Sequence, residues 1–143
     1  MNGLILHEVG HAYQAEFGVL HRNITVPADY YLWKLFIEGV AMVFEQETVG
    51  KTDYYHQDKN GWKTWCEENL HFIATSFEAD RHIMTKESQR YFGDLVHFDG
   101  YPDTGYYLGT RFVRFLMNTS GFDEIIHFDV ETVNTYFQKY LSE

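Results

Sequence analysis

The chain has 143 residues, enough for one domain with its own core. Hydrophobic residues make up 45% and aromatic residues 18%, which excludes a disordered polar chain and points to a packed globular one. A formal charge of −10, from 21 acidic and 11 basic side chains, disfavours nucleic acid and anionic membranes as partners, because both recruit Lys and Arg in excess.

In chain order, helical periodicity predicts a first helix over Gly3 to Phe17, stopping at Gly18. His21 to Thr25 reads as a connection. Pro27 suits the first turn of a second helix, which runs through Glu47 with Gly50 as its stop. Lys51 to Gly61 is a polar loop. A third helix is predicted over Trp62 to about Thr85, and a shorter one over Lys86 to Phe92. Gly93 to Gly105, with Tyr101-Pro102-Asp103 inside it, has turn chemistry. A helix from Tyr106 to Met117 follows, ending near Gly121, and two short helices fill Phe122 to Leu141, the last capped by Asp129 with Thr132 three residues on. The expected fold is a mainly α, single-domain helical bundle over residues 1–143.

No apolar run approaches the roughly 18 residues of a membrane-spanning helix, and no signal peptide is visible. Cys66 is the one cysteine, so no intrachain disulfide can form; it reads as a core or boundary thiol. A cytoplasmic location fits these features.

His7-Glu8-Val9-Gly10-His11 fits the pattern H-E-x-x-H on a helix. Residues four apart lie one above the other on a helix face, so His7 and His11 can offer two imidazole nitrogens to one ion. Zinc suits them, since it accepts neutral imidazole in a tetrahedral shell. Glu8 lies about 100° further round, where it can reach a metal-bound water and act as general base. Zinc lowers the pKa of such a water to about 7. At this chain's residue frequencies a chance match has a probability of roughly 4%, so the bland alternative is a helix with two surface histidines. Leu4, Ile5, Leu6, Ala12 and Tyr13 make the helix apolar nearly all round, which predicts a buried helix whose His7, Glu8 and His11 need polar partners.

A catalytic zinc needs a third protein ligand and an open position. Glu38 is the candidate, because it interrupts the apolar run Leu35-Phe36-Ile37-Glu38-Gly39-Val40-Ala41-Met42-Val43-Phe44. A carboxylate there is costly without a cation. The competing reading is an ion pair with Lys34 on a helix edge. Gly39 permits close approach of another backbone. Glu45 and Glu47 are more exposed by position and read as surface or second-layer groups.

The remaining histidines, at positions 21, 56, 71, 82, 97 and 127, have no ligand spacing and read as surface or satisfied core residues. His82 and His97 are secondary candidates for transition-state hydrogen-bond donors. Trp62, Trp65 and Phe72 have core spacing. In Gly105-Tyr106-Tyr107-Leu108-Gly109, the two glycines sit four apart on one face, allowing close packing. Tyr106 can either pack or point its hydroxyl into a cleft as an oxyanion donor.

These segments, in this order, resemble the gluzincin class of metallopeptidases. More closely, the chain is similar to a family of predicted zinc-dependent proteases (a former domain of unknown function) with HExxH, EGxA and GYxxG segments. The matches are His7-Glu8-Val9-Gly10-His11, Glu38-Gly39-Val40-Ala41 and Gly105-Tyr106-Tyr107-Leu108-Gly109, with Arg90-Tyr91-Phe92-Gly93 before the last. The resemblance spans roughly residues 4 to 117. It implies zinc held by His7, His11 and Glu38, with Glu8 as base and proton shuttle, and Tyr106 near the site. Family members often carry a further glutamate directly after EGxA, where this chain has Met42; a supporting carboxylate is then absent or comes from Glu45. The family also places a β-sheet upstream, and only six residues precede His7, so that sheet is expected to be missing and the chain to be a fragment.

Three readings follow. The first is a zinc peptidase acting on a peptide or protein substrate. The second is a catalytically weak or inactive zinc-binding remnant serving as an interaction module. The third is a metal-free helical protein.

Overall fold

A computed structural model of the chain describes residues 3–93 and 95–143. It is mainly α, as expected: α1 (Gly3–Phe17), α2 (Pro27–Val49), α3 (Trp62–Glu68), α4 (Leu70–Asp80), α5 (Thr104–Leu116), α6 (Phe122–Ile125) and α7 (Val130–Ser142). The described residues contain no strand, only an isolated bridge between Phe98 and Tyr101. None of the described helices is long and apolar enough to cross a membrane.

The longest helix, α2, is the axis of the fold. Its sequence is apolar on nearly every side, and it packs against α1, α5 and α7. Leu32, Leu35, Phe36, Val40, Ala41, Met42 and Val43 lose all their exposure. Pro27 opens it, and Gly50, in the left-handed conformation at φ 82°, closes it by donating its N–H to the Gln46 carbonyl.

Small residues set the spacing of the helices. A Cβ on Gly10 of α1 would stand 3.0 Å from the Cα of Ala41 on α2. A Cβ on Gly39 would fall inside the carbonyl of Gly109 on α5, and one on Gly109 would meet the Leu35 carbonyl at 2.5 Å. The close approach expected of Gly39 and Gly109 is therefore realised, with α2 and α5 touching backbone to backbone, whereas Gly105 packs against the Phe92 ring and the Tyr91 carbonyl rather than on α2.

Elsewhere the chain departs from its expected elements, because polar side chains capture backbone groups. The predicted third helix is two, broken at Asn69, whose Nδ2 donates to the Trp65 carbonyl at 2.9 Å. It also ends at Asp80 rather than Thr85. The predicted helix over Lys86 to Phe92 does not form. There the Gln89 carboxamide accepts from the N–H groups of Tyr91 and Phe92 and donates to the Phe92 carbonyl, which satisfies these groups in a turn. Asp129 caps α7 as expected, accepting from Thr132 N at 2.8 Å.

The expectation that α1 is buried all round is corrected. Leu6 is buried, but Leu4, Ile5 and Val9 are 66%, 49% and 41% exposed. Among the described residues, α1 is covered mainly on the side facing α2. Cys66 is a buried free thiol, as expected. Trp62 joins the core, whereas Phe72 is 46% exposed at its edge.

Candidate metal centre

The cluster begins with the fit of Gly10 against Ala41. That contact lays the His7/His11 face of α1 directly on the Glu38 face of α2. His7 Nε2 then lies 2.7 Å from one Glu38 oxygen, and His11 Nε2 lies 3.3 Å from the other. One donor atom from each of the three residues falls within 4.8 Å of the other two. The competing partner for Glu38 is not used: the Lys34 ammonium instead sits 5.1 Å over the Phe92 ring.

Glu38 is 8% exposed and His7 6%. Burial by itself would raise the Glu38 pKa, but hydrogen bonds from His11 and His7 and their charge outweigh it and lower it to about 2. Burial by itself would lower the His7 pKa. The hydrogen bonds to Glu38 and Glu45 and the charges of those carboxylates reverse this and raise it to about 9. His7 and Glu38 thus face each other as an imidazolium and a carboxylate.

Donor type and spacing fit zinc. Bonds of about 2.0–2.1 Å at tetrahedral angles put neighbouring ligand atoms roughly 3.3 Å apart. His11 Nε2 already stands 3.3 Å from one Glu38 oxygen, while His7 Nε2 stands 2.7 Å from the other, so the side chains would adjust to bring both imidazoles round a single oxygen and an ion.

Glu45 corrects the sequence reading. It is not exposed by position: its exposure is 0%. One oxygen lies 3.1 Å from His7 Nδ1 and the other 2.7 Å from His56 Nδ1. Glu45, about one helical turn beyond Met42, is thus the carboxylate that meets the second ring nitrogen of His7. His7, Glu45 and His56 also have metal-ligand spacing. A neutral imidazole, however, has one lone-pair nitrogen. If Nε2 of His7 faces the Glu38 cluster, its Nδ1 carries the proton and donates to Glu45. The arrangement is then ligand and support rather than two ion sites. His11 has no such support; its Nδ1 is buried without a partner among the described residues.

A hollow of about 230 Å³ opens on the cluster, with His7, His11, Glu38, Glu8, His56 and Tyr106 in its lining. Glu8 is exposed rather than buried, which corrects the expectation drawn from the apolar helix, and its carboxylate has access to solvent in that hollow. The Tyr106 ring packs edge-on to His7 with centroids 5.7 Å apart. Burial, then the charge of Glu38, pushes its pKa well above the usual tyrosine value, so it stays a protonated donor.

His82 and His97 do not line the hollow. His82 sits exposed in the turn after α4, 3.5 Å from Glu78 near the end of that helix. Glu47 is exposed and pairs with Arg114 at 2.6 Å. A functional candidate that sequence spacing missed is His56, carried by the loop after α2. Its signal was faint: a histidine within a polar stretch, with no periodic relation to His7 or Glu45. Comparison with family models, curated proteins and solved structures finds no significant match to this chain.

Proposed function

We propose that this chain is a zinc-dependent peptidase, with His7, His11 and Glu38 holding the metal and Glu8 acting as general base. The observation that carries the proposal is the convergence of two imidazole nitrogens and one carboxylate oxygen, from two helices, within 4.8 Å of one another. The resemblance to gluzincins rests on the same residues.

Zinc held there would supply a Lewis acid for a substrate carbonyl and would acidify water. The chain's own groups do the rest. Glu45 accepts from His7 Nδ1–H and fixes the tautomer whose Nε2 faces Glu38. Glu8, exposed at the hollow, takes the proton of the attacking water and delivers it to the leaving amine nitrogen. The Tyr106 hydroxyl donates to the carbonyl oxygen as that oxygen gains charge.

The test uses protein purified without a histidine tag. After exposure to excess zinc and removal of the unbound metal, wild type and Glu8→Gln should each hold one zinc per chain. Only wild type should cleave a mixed pool of internally quenched peptides. Zinc below about 0.1 per chain would sink the reading, since sites of this type bind tightly. Zinc bound with no cleavage by either protein would favour the inactive zinc-binding remnant instead.

A further inference from the structure

Beside the hollow at the metal cluster lies a larger one of about 860 Å³. Leu4, His56, Gln57 and Asp103 line both, so the two adjoin. The larger is walled by Tyr54, Tyr55, Trp62, Tyr101 and Pro102. Its volume falls in the range of about 300–1,000 Å³ usual for small-ligand sites.

Its walls are fixed by packing. Trp62 is 1% exposed and Tyr55 7%, and their rings lie 5.6 Å apart. Trp62 Nε1 donates to the Pro102 carbonyl at 2.6 Å. Tyr101 stacks on Trp65 with centroids 4.5 Å apart. These contacts tie the loop before α3 to the turn before α5, and the hollow lies between them.

Gln57, in the wall common to both hollows, is incompletely satisfied. Its Nε2 donates to Met42 Sδ at 3.4 Å, and its Oε1 is buried with no partner among the described residues. A buried amide oxygen is costly until a donor reaches it. A peptide N–H is such a donor.

We propose that the aromatic hollow receives a large apolar side chain, aromatic above all, from a peptide residue next to the scissile bond, while Gln57 Oε1 accepts that residue's main-chain N–H. The placement beside the scissile bond rests on the peptidase reading. Asp103 and Lys59 both line the hollow and oppose each other in charge, so it is the aromatic walls that disfavour a charged side chain.

The test follows the indole N–H signal of Trp62 by NMR in the full chain, with and without zinc. The probes are N-acetyl-phenylalaninamide, its alanine and aspartate counterparts, and a phenylalanine analogue methylated on the acetamido nitrogen. The phenylalanine probe should shift the Trp62 signal saturably and bind at least about tenfold more tightly than alanine, with aspartate weakest. Gln57→Leu should weaken the phenylalanine probe severalfold and leave the N-methylated probe unaffected, with the Trp33 signal unmoved as the check on folding. No saturable shift at Trp62, equal binding of all three side chains, or equal effects of Gln57→Leu on both phenylalanine probes would overturn the proposal. The two readings fail separately. Zinc bound and peptides cut, with Trp62 silent, leaves the peptidase standing and removes the aromatic subsite. Trp62 shifted in a chain that holds no zinc removes the peptidase and, with it, the placement beside a scissile bond.

Discussion

Glu45 stands directly behind His7, its Oε2 3.1 Å from His7 Nδ1, on the edge of the ring away from Glu38. Because Glu45 is fully buried and its other oxygen meets His56, the His7 ring is gripped from one side and offered to Glu38 on the other. Loss of a supporting partner of this kind typically costs about 10–100-fold in metal affinity. Glu45→Gln should therefore weaken zinc binding by about that factor in competition with a chromophoric chelator. His56→Ala should show a smaller loss. Wild-type affinity in Glu45→Gln would remove the supporting role.

Glu8 is exposed in the hollow while the three candidate ligands are buried or partly buried. Base and ligand roles should then separate in one substitution. Glu8→Gln should retain full zinc affinity and lose about 10²–10⁴ in kcat on a quenched peptide. A parallel fall in zinc content would mean that Glu8 holds the metal rather than moving a proton.

The helix contacts rank three substitutions. Gly39→Ala drives a methyl group into the Gly109 carbonyl, and Gly109→Ala drives one into the Leu35 carbonyl; both obstacles are backbone and cannot rotate away. Each should cost about 1–3 kcal/mol or more in chemical denaturation. Gly10→Ala meets its nearest atoms at 3.0–3.1 Å and should cost less. An equal cost for Gly10→Ala and Gly39→Ala would contradict the backbone contact between α2 and α5.

Arg81, 3% exposed, ties three helices together. It donates to Glu78 at 2.8 Å, to the Ala28 carbonyl at 3.0 Å and to Asn134 Oδ1 at 3.0 Å. Burial alone would raise the Glu78 pKa, but hydrogen bonds from Arg81 and Gln138 outweigh it and hold it below the ordinary 4.5. A depressed folded-state pKa contributes stability that is present above the unfolded value and is lost as pH falls through the folded one. Wild type should therefore exceed Glu78→Gln in melting temperature at pH 7 and lose that advantage progressively below about pH 4.5. A difference between the two proteins that stays constant down to pH 2 would contradict this linkage.

The residues of the candidate metal cluster were legible in the sequence because their signals are local. The four-residue spacing of His7 and His11 is a property of one helix, and Glu38 is conspicuous as a charge inside an apolar run. The mainly α class and the Asp129 cap are local in the same way. Gln89, Leu4 and the exposure of Glu45 were misread for the opposite reason, although Glu45 was already one of the two alternatives for a supporting carboxylate. Glu45 sits among Phe44, Gln46 and Glu47 and looks like a helix edge; His7 of α1 and His56 of the loop after α2 meet its two oxygens from segments far away in sequence. Gln89 takes backbone hydrogen bonds that a helix would otherwise have used, a competition decided by nearby turns. Leu4 has the apolar character of a buried residue, but burial needs a neighbour, and among the described residues its side of α1 has little cover. Local signals thus singled out His7, His11 and Glu38 as candidates; whether they meet, which loop closes over them and which apolar face stays open depend on contacts between segments far apart in sequence, and those exist only in the folded chain.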